Sequence, residues 1–348
     1  MAAFIQTVLG PLPPSAVGRI LHHEHLGALV PGPWLSGGAP IGADETEYAQ
    51  EDVIERAVGA LATLAGYGID TVVDLSPYGV VGRDESGDSV LLLQEISRRS
   101  GVHIVAGSSV YLEPFSPQWT HELTVTELTE RFVRDVTVGI GTTGVRAGIL
   151  GEQATGLDEI TAHEEKCLRA AARAQVETGV ALVTHTTHGT MAMEQVGILR
   201  EESADLSRVV IGHMDIQPDL DTLVRVLDTG VGIAFDTIGK QHWDFVLEPL
   251  PAEPAEGEYA KRAYFRSDLA RARNLVALTE RGYASQLHLS EDLTGAEVYL
   301  NPETHGRWGY GYLAAVFLPL AIDEGLDPAL VDQLLGANPR ALLTQGTA

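Results

Sequence analysis

The chain has 348 residues, 45% hydrophobic and 20% charged, which is a globular balance with enough apolar residues for a large core, and its net charge at pH 7 is −25. That acidity argues against nucleic acid and anionic membrane surfaces as partners, since both require a basic footprint. No apolar run reaches the roughly eighteen residues of a membrane span, and the single cysteine, Cys167, excludes an internal disulfide or multi-thiolate site and suits a reducing, cytoplasmic setting.

Residues 1–14 lack a basic start and are broken by Pro11, Pro13 and Pro14, so no signal peptide is expected. Eight compact runs then read as buried parallel strands: 20–26, 70–76 (DTVVDLS), 102–110 (VHIVAGSSV), 147–153 (AGILGEQ), 181–186 (ALVTHT), 209–214 (VVIGHM), 230–237 (GVGIAFDT) and 286–292 (QLHLSED). Each is mostly apolar on both faces and bounded by Gly or polar residues. Helical patterns lie between them. The clearest is 161–177, with Thr161 and Glu164 at capping-box spacing and Gly179 beyond its end. Segments 53–65 and 268–281 read alike, with Gly66 and Gly282 as stops. This alternation predicts an α/β (β/α)8 TIM barrel as one domain over 1–348, with a doubly wound sheet as the alternative. Long loops are expected after strands seven (242–257) and eight (296–312), at the strand ends where barrel enzymes build substrate contacts.

Polar residues gather at the strand ends. His23 and His25 flank Glu24 on the first strand, and period two puts the two histidines on one face. Glu152 closes the fourth strand, His185 the fifth, His213 the sixth and Asp292 the eighth. A lone histidine on an apolar strand is usually a hydrogen-bonded core residue. Six such residues at one barrel rim are a divalent-metal ligand set, and six donors exceed the roughly four that one zinc takes. Two metals are therefore expected, zinc first, with Mn2+, Co2+ or Fe2+ as alternatives. Such a pair generates a hydroxide nucleophile near neutral pH.

The segments TVLGPLPPSAVGRILHHEHL, THTTHGTMAMEQ, VVIGHMDI, FDTIGK and GYGYLAAVFLPL through GANPRALL resemble, in order, the phosphotriesterase family of the amidohydrolase superfamily. The resemblance implies the barrel, a binuclear metal centre and hydrolysis of phosphotriesters, lactones and related esters or amides. It implies His23 and His25 as ligands of a buried metal, His185 and His213 as ligands of a more exposed one, and Asp292 as a further ligand that also handles the nucleophile's proton.

Two departures shape the substrate expectation. The organophosphate hydrolases of the family bridge their metals with a carbamylated lysine, but this chain has only Lys166, Lys240 and Lys261, none at the fourth strand's end. Glu152, in ILGEQ, matches the glutamate-bridged, homology-protein and lactonase-like branch. Those hydrolases also carry a histidine after the strand-seven aspartate, where Thr237 follows Asp236. Asp292 is followed by Leu293, Thr294, Gly295 and Ala296, without the nearby basic residue of sugar-phosphate lactonases. The expectation is a hydrolase acting on a small ester, lactone or amide carbonyl, lactone first. Phosphotriester hydrolysis and a catalytically silent binding barrel are the alternatives. Tyr111, Lys240, Arg307 and Trp308 are candidate substrate contacts, and Asp215 and Asp236 are supporting carboxylates that offer alternative proton routes. A homodimer is left open.

Overall fold

The computed structural model describes residues 2–29, 49–79, 82–240, 244–245, 263–264, 267–300 and 309–346. Eight parallel strands run in sequence order around the molecule: β1 (Arg19–Glu24), β2 (Ile69–Asp74), β3 (His103–Ser108), β4 (Ile149–Thr155), β5 (Leu182–Thr186), β6 (Val209–Ile211), β7 (Gly232–Phe235) and β8 (Leu287–Leu289). The eighth meets the first through main-chain bonds from Asp292 N to His23 O (3.1 Å), His25 N to Leu293 O (3.0 Å) and Gly295 N to His25 O (3.0 Å). The result is the expected (β/α)8 barrel.

Period-two alternation explains how each strand serves two cores. Ile20, Val73, Val105, Val183, Val210 and Ala234 form one buried apolar cluster inside the barrel. Their neighbours Leu21, Val72, Ile104, Leu182, Ile211 and Ile233 belong to the cluster shared with the helices. Each fully buried aliphatic side chain contributes ~1.5–3 kcal/mol. The lower mouth is plugged by an N-terminal hairpin, Ile5–Thr7 with Gly10–Leu12, and by the C-terminal helix Asn338–Leu343, whose Ile5, Leu342 and Leu343 join the interior cluster.

The helices follow their strands: α1 (Gln50–Leu61), α2 (Val90–Ser100), α3 (Val125–Thr137), α4 (Ala162–Thr178), α5 (Ala192–Glu201), α6 (Leu220–Leu227), α7 (Asp268–Glu280) and α8 (Leu318–Asp323). In α4 the capping box forms as expected, Thr161 accepting from the Glu164 N–H, and Gly179 ends the helix at φ 70°. One boundary differs. After α1 the chain tightens into a 3-10 segment, Ala62–Tyr67, so the left-handed stop is Gly68 (φ 68°) and not Gly66. Strands six to eight also end earlier than their apolar patterns suggested. His213, Asp236 and Asp292 lie just beyond the paired residues, where the chain turns off the sheet.

Candidate metal centre

The rim is built by departures from regular strand geometry. β1 pairs with β2 at Leu21↔Val72 and again at Glu24↔Asp74, so two residues of β1, His22 and His23, oppose one of β2. This bulge sends consecutive imidazoles to different partners. His22 packs on His288, with ring centroids 4.6 Å apart, while His23 lies 5.1 Å from both His25 and His213. Glu24 turns away from that cluster, as alternation requires, and accepts from Ser290 Oγ, Glu291 N and Leu293 N. His213 (φ 57°) and Asp292 (φ 55°) adopt the left-handed conformation unusual for side-chain-bearing residues. The glycine before His213 is required by space, because a Cβ on Gly212 would sit 2.3 Å from Thr184 O.

The six expected donors converge. Glu152 occupies the centre, its carboxylate 3.4 Å from His23 Nε2, 3.4 Å from His25 Nε2, 3.0 Å from His185 Nδ1 and 3.4 Å from His213 Nε2. Asp292 Oδ1 lies 2.9 Å from His25 Nε2 and 3.6 Å from His23 Nε2. Two groups, His23–Glu152–His213 and His23–His25–Asp292, bring their donor atoms within 4.8 Å of one another. All four imidazoles are buried, at 0–6% exposure, so the cluster cannot be satisfied by bulk water. Imidazole nitrogens and carboxylate oxygens converging on one buried point fit divalent cations.

The supporting residues divide. Asp236 Oδ1 accepts from the His213 N–H (2.8 Å) and lies 2.9 Å from His213 Nδ1, while Oδ2 lies 2.7 Å from His23 Nδ1. Asp236 thus orients two of the six donors, the arrangement that fixes which imidazole nitrogen faces a metal. Burial disfavours a charged His23, but Asp236 and Glu152 overcome it and raise the imidazole to about 10. Asp215 is set apart. It is bound by Arg271 Nε (2.5 Å) and Thr237 Oγ1 (2.6 Å), a buried ion pair behind the rim that touches none of the six donors. Arg271 also reaches Asp268 and Thr237 and is fully buried. Sequence reasoning missed it, and its only trace was a basic residue on the helix between two barrel strands.

Of the candidate substrate contacts, Tyr111 lies edge-on to His185, centroids 5.0 Å apart. Lys240 is buried, and its ammonium contacts Asp292 Oδ2 directly. Burial would lower Lys240, but the Asp292 and Glu297 carboxylates hold it above its ordinary value. Burial likewise opposes ionisation of Asp292, and Lys240 and His213 hold it below the usual carboxylate range. Arg307 and Trp308 lie outside the described residues, as does most of 242–257 and part of 296–312.

Residues 3–343 match the family model described as the phosphotriesterase family. The chain belongs to the phosphotriesterase family of hydrolases. It is 33% identical over 253 residues to the phosphotriesterase homology protein of Escherichia coli K12, covering 73% of this chain and 78% of that one. A crystal structure of that protein with phosphate in its active site superposes with a TM-score of 0.76 at 28% identity, over 94% of this chain and 99% of the other. The N-acetyltaurine hydrolase of Salmo salar is 26% identical, covering 98% of this chain and 97% of the relative. A solved structure described as molecular engineering of organophosphate hydrolysis activity from a weak promiscuous lactonase template aligns with a TM-score of 0.79 at 28% identity, over 98% and 99% of the two chains.

Proposed function

We propose that this chain hydrolyses a small carbonyl substrate, a lactone or an N-acyl amide, at a binuclear metal centre. The observation that carries the reading is the position of Glu152, within 3.4 Å of a ring nitrogen of all four histidines. His23, His25 and Asp292 would hold one cation, His185 and His213 the other, and Glu152 would be shared. Zinc is the first candidate for both. When bound, such a pair supplies Lewis acidity and lowers the pKa of water. Asp292 holds the proton taken from the attacking water and returns it to the leaving group. Lys240 keeps that carboxylate ionised and stands close enough to face a substrate anion, while Tyr111 walls the His185 side. Arg307 and Trp308 complete the proposed substrate contacts. The one-domain reading is part of the proposal, supported by a family match from residue 3 to 343.

A carbonyl is preferred to a phosphotriester for a reason visible at Thr237. Its hydroxyl donates to Asp215 and accepts from Arg271, so it is tied into a buried ion pair and has no imidazole to carry a proton from the rim. The lactone stands first on the sequence departures. The N-acyl amide stands beside it because a full-length relative is named an N-acetyltaurine hydrolase. A hydrolysis screen of metal-loaded protein against lactones, N-acyl amino acids and organophosphates tests the class, and turnover of organophosphates alone would overturn it. Metal analysis of Glu152→Gln tests the bridge. Joint loss of both metals is expected, and loss of one alone would make Glu152 a terminal ligand.

A further inference from the structure

The opposite mouth of the barrel contains a second constellation that the rim chemistry does not use. A pocket of about 740 Å³ opens there between the start of β6, the start of β8 and the C-terminal helix, lined by Ser207, Arg208, Ser285, His288, Asn338 and Arg340 among others. Its volume is in the range of small-molecule sites. Arg208 is fixed by two bonds from Nη2, to Leu342 O (2.8 Å) and Thr344 O (2.9 Å), and Arg340 by one from Nη1 to Val17 O (2.8 Å). Both guanidiniums are thus positioned by main-chain carbonyls, and the carboxylate acting on Arg208 is that of Asp205, through charge attraction. In a chain of net charge −25, two guanidiniums held by main-chain carbonyls on one pocket wall concentrate positive charge there. The acidic residue on the pocket wall, Asp332, is paired with Arg19 at 2.7 Å.

A second observation points the same way. His288 lines the pocket at 4% exposure, and among the described residues its buried Nδ1 has no hydrogen-bond partner. Against it packs His22, neither of whose ring nitrogens has a hydrogen-bond partner among the described residues. Burial lowers His288 to about 4, so at neutral pH the ring is uncharged and offers one N–H. We propose that this mouth is a binding site for a small oxyanion, a phosphate or carboxylate compound, separate from the metal centre. Two fixed guanidiniums give the paired N–H donors that match either oxyanion. His288 lies in β8 (Leu287–Leu289), whereas Asp292 lies beyond its end, where the chain has turned off the sheet toward the rim.

The test is titration of the metal-loaded protein by calorimetry, with inorganic phosphate in one arm and succinate in the other. Two variants probe the pocket without entering the rim: Arg340→Gln removes a guanidinium, and Ser285→Asp puts a carboxylate at an exposed position where misfolding is not expected. The wild type should show a binding class that each variant weakens by about tenfold or more, the loss expected for a charge-assisted hydrogen bond. Hydrolytic turnover should stay within about twofold, because neither residue contacts the six rim donors. Binding of phosphate alone assigns a phosphate ligand, binding of succinate alone a carboxylate, and binding of both an unselective oxyanion site. Isotherms identical in wild type and Ser285→Asp would place all anion binding at the metals and overturn the proposal. So would the absence of any binding in both arms. Neither outcome depends on the substrate assigned to the rim.

Discussion

The lower and upper halves of the same eight strands follow different rules. In the lower half, Ile20, Val73, Val105, Val183, Val210 and Ala234 form one buried apolar cluster inside the barrel. In the upper half, the pairing breaks at a bulge in β1, His213 and Asp292 turn left-handed, and buried carboxylates face imidazoles and one ammonium. The lower half is held by apolar burial and by guanidinium-to-carbonyl bonds at its mouth, whereas the upper half is a concentration of charge that only close pairing or a bound cation can stabilise. Packing and chemistry are therefore divided along the strand, and variants at the two ends should fail in different ways.

The sharpest break is expected at Asp292. Asp292→Asn retains an oxygen toward His25 but cannot take a proton, and it removes the carboxylate charge that contacts the buried Lys240 ammonium. Hydrolytic kcat should fall ~10²–10⁴-fold, the size of a lost general base, while far-UV circular dichroism stays native. Unchanged turnover would move the proton to another carboxylate. Asp236, against His23 and His213, then becomes the first suspect, ahead of Asp215 with its guanidinium.

A smaller effect separates the donors from the residue that aims them. Asp236→Asn should weaken metal affinity by about 10–100-fold, as removal of a carboxylate behind a histidine ligand does. Competition against a chelating dye measures it. An affinity equal to wild type would show that His23 and His213 are held without Asp236.

The sequence made the lower half legible because alternation is a local signal: a run such as Thr71-Val72-Val73 needs no partner to be read as a buried strand. The six rim residues were legible because each falls at a predicted strand end, and a barrel brings strand ends together. What was not legible depends on contacts between distant segments. Nothing near His22 in the sequence shows that it meets His288, and Arg271 pairs with Asp215 fifty-six positions away. Lys240 was expected to face substrate, and its contact with Asp292 follows from how the turn after β7 folds over the eighth strand's end. The N-terminal hairpin went unread because three-residue strands carry too little pattern.

The substrate preference is expected to be smaller again. Lactone or N-acyl amide hydrolysis should exceed hydrolysis of a paraoxon-like phosphotriester by about tenfold in kcat/KM, or ~1.4 kcal/mol of transition-state preference. Both must be measured on one metal preparation, since the metal content scales both rates. A phosphotriester preference would mean that Thr237, despite its ties to Asp215 and Arg271, does not limit proton removal.

The smallest effect tests whether the two halves are independent. Ile20 is fully buried in the interior cluster, three residues before His23 on the same strand. Ile20→Val removes one methylene from a packed layer, which typically costs ~0.5–1.5 kcal/mol of stability. Denaturant unfolding should register that loss. If the lower half only supports the upper one, kcat and metal content should remain within about twofold of wild type, because the change leaves the β1 bulge and the main-chain bonds between β1 and the β8 end intact. A marked loss of activity from a single methylene would show that the lower layer sets the position of His23 through the bulge. The division of labour would then be a gradient along the strand, with donor placement inherited from core packing below it.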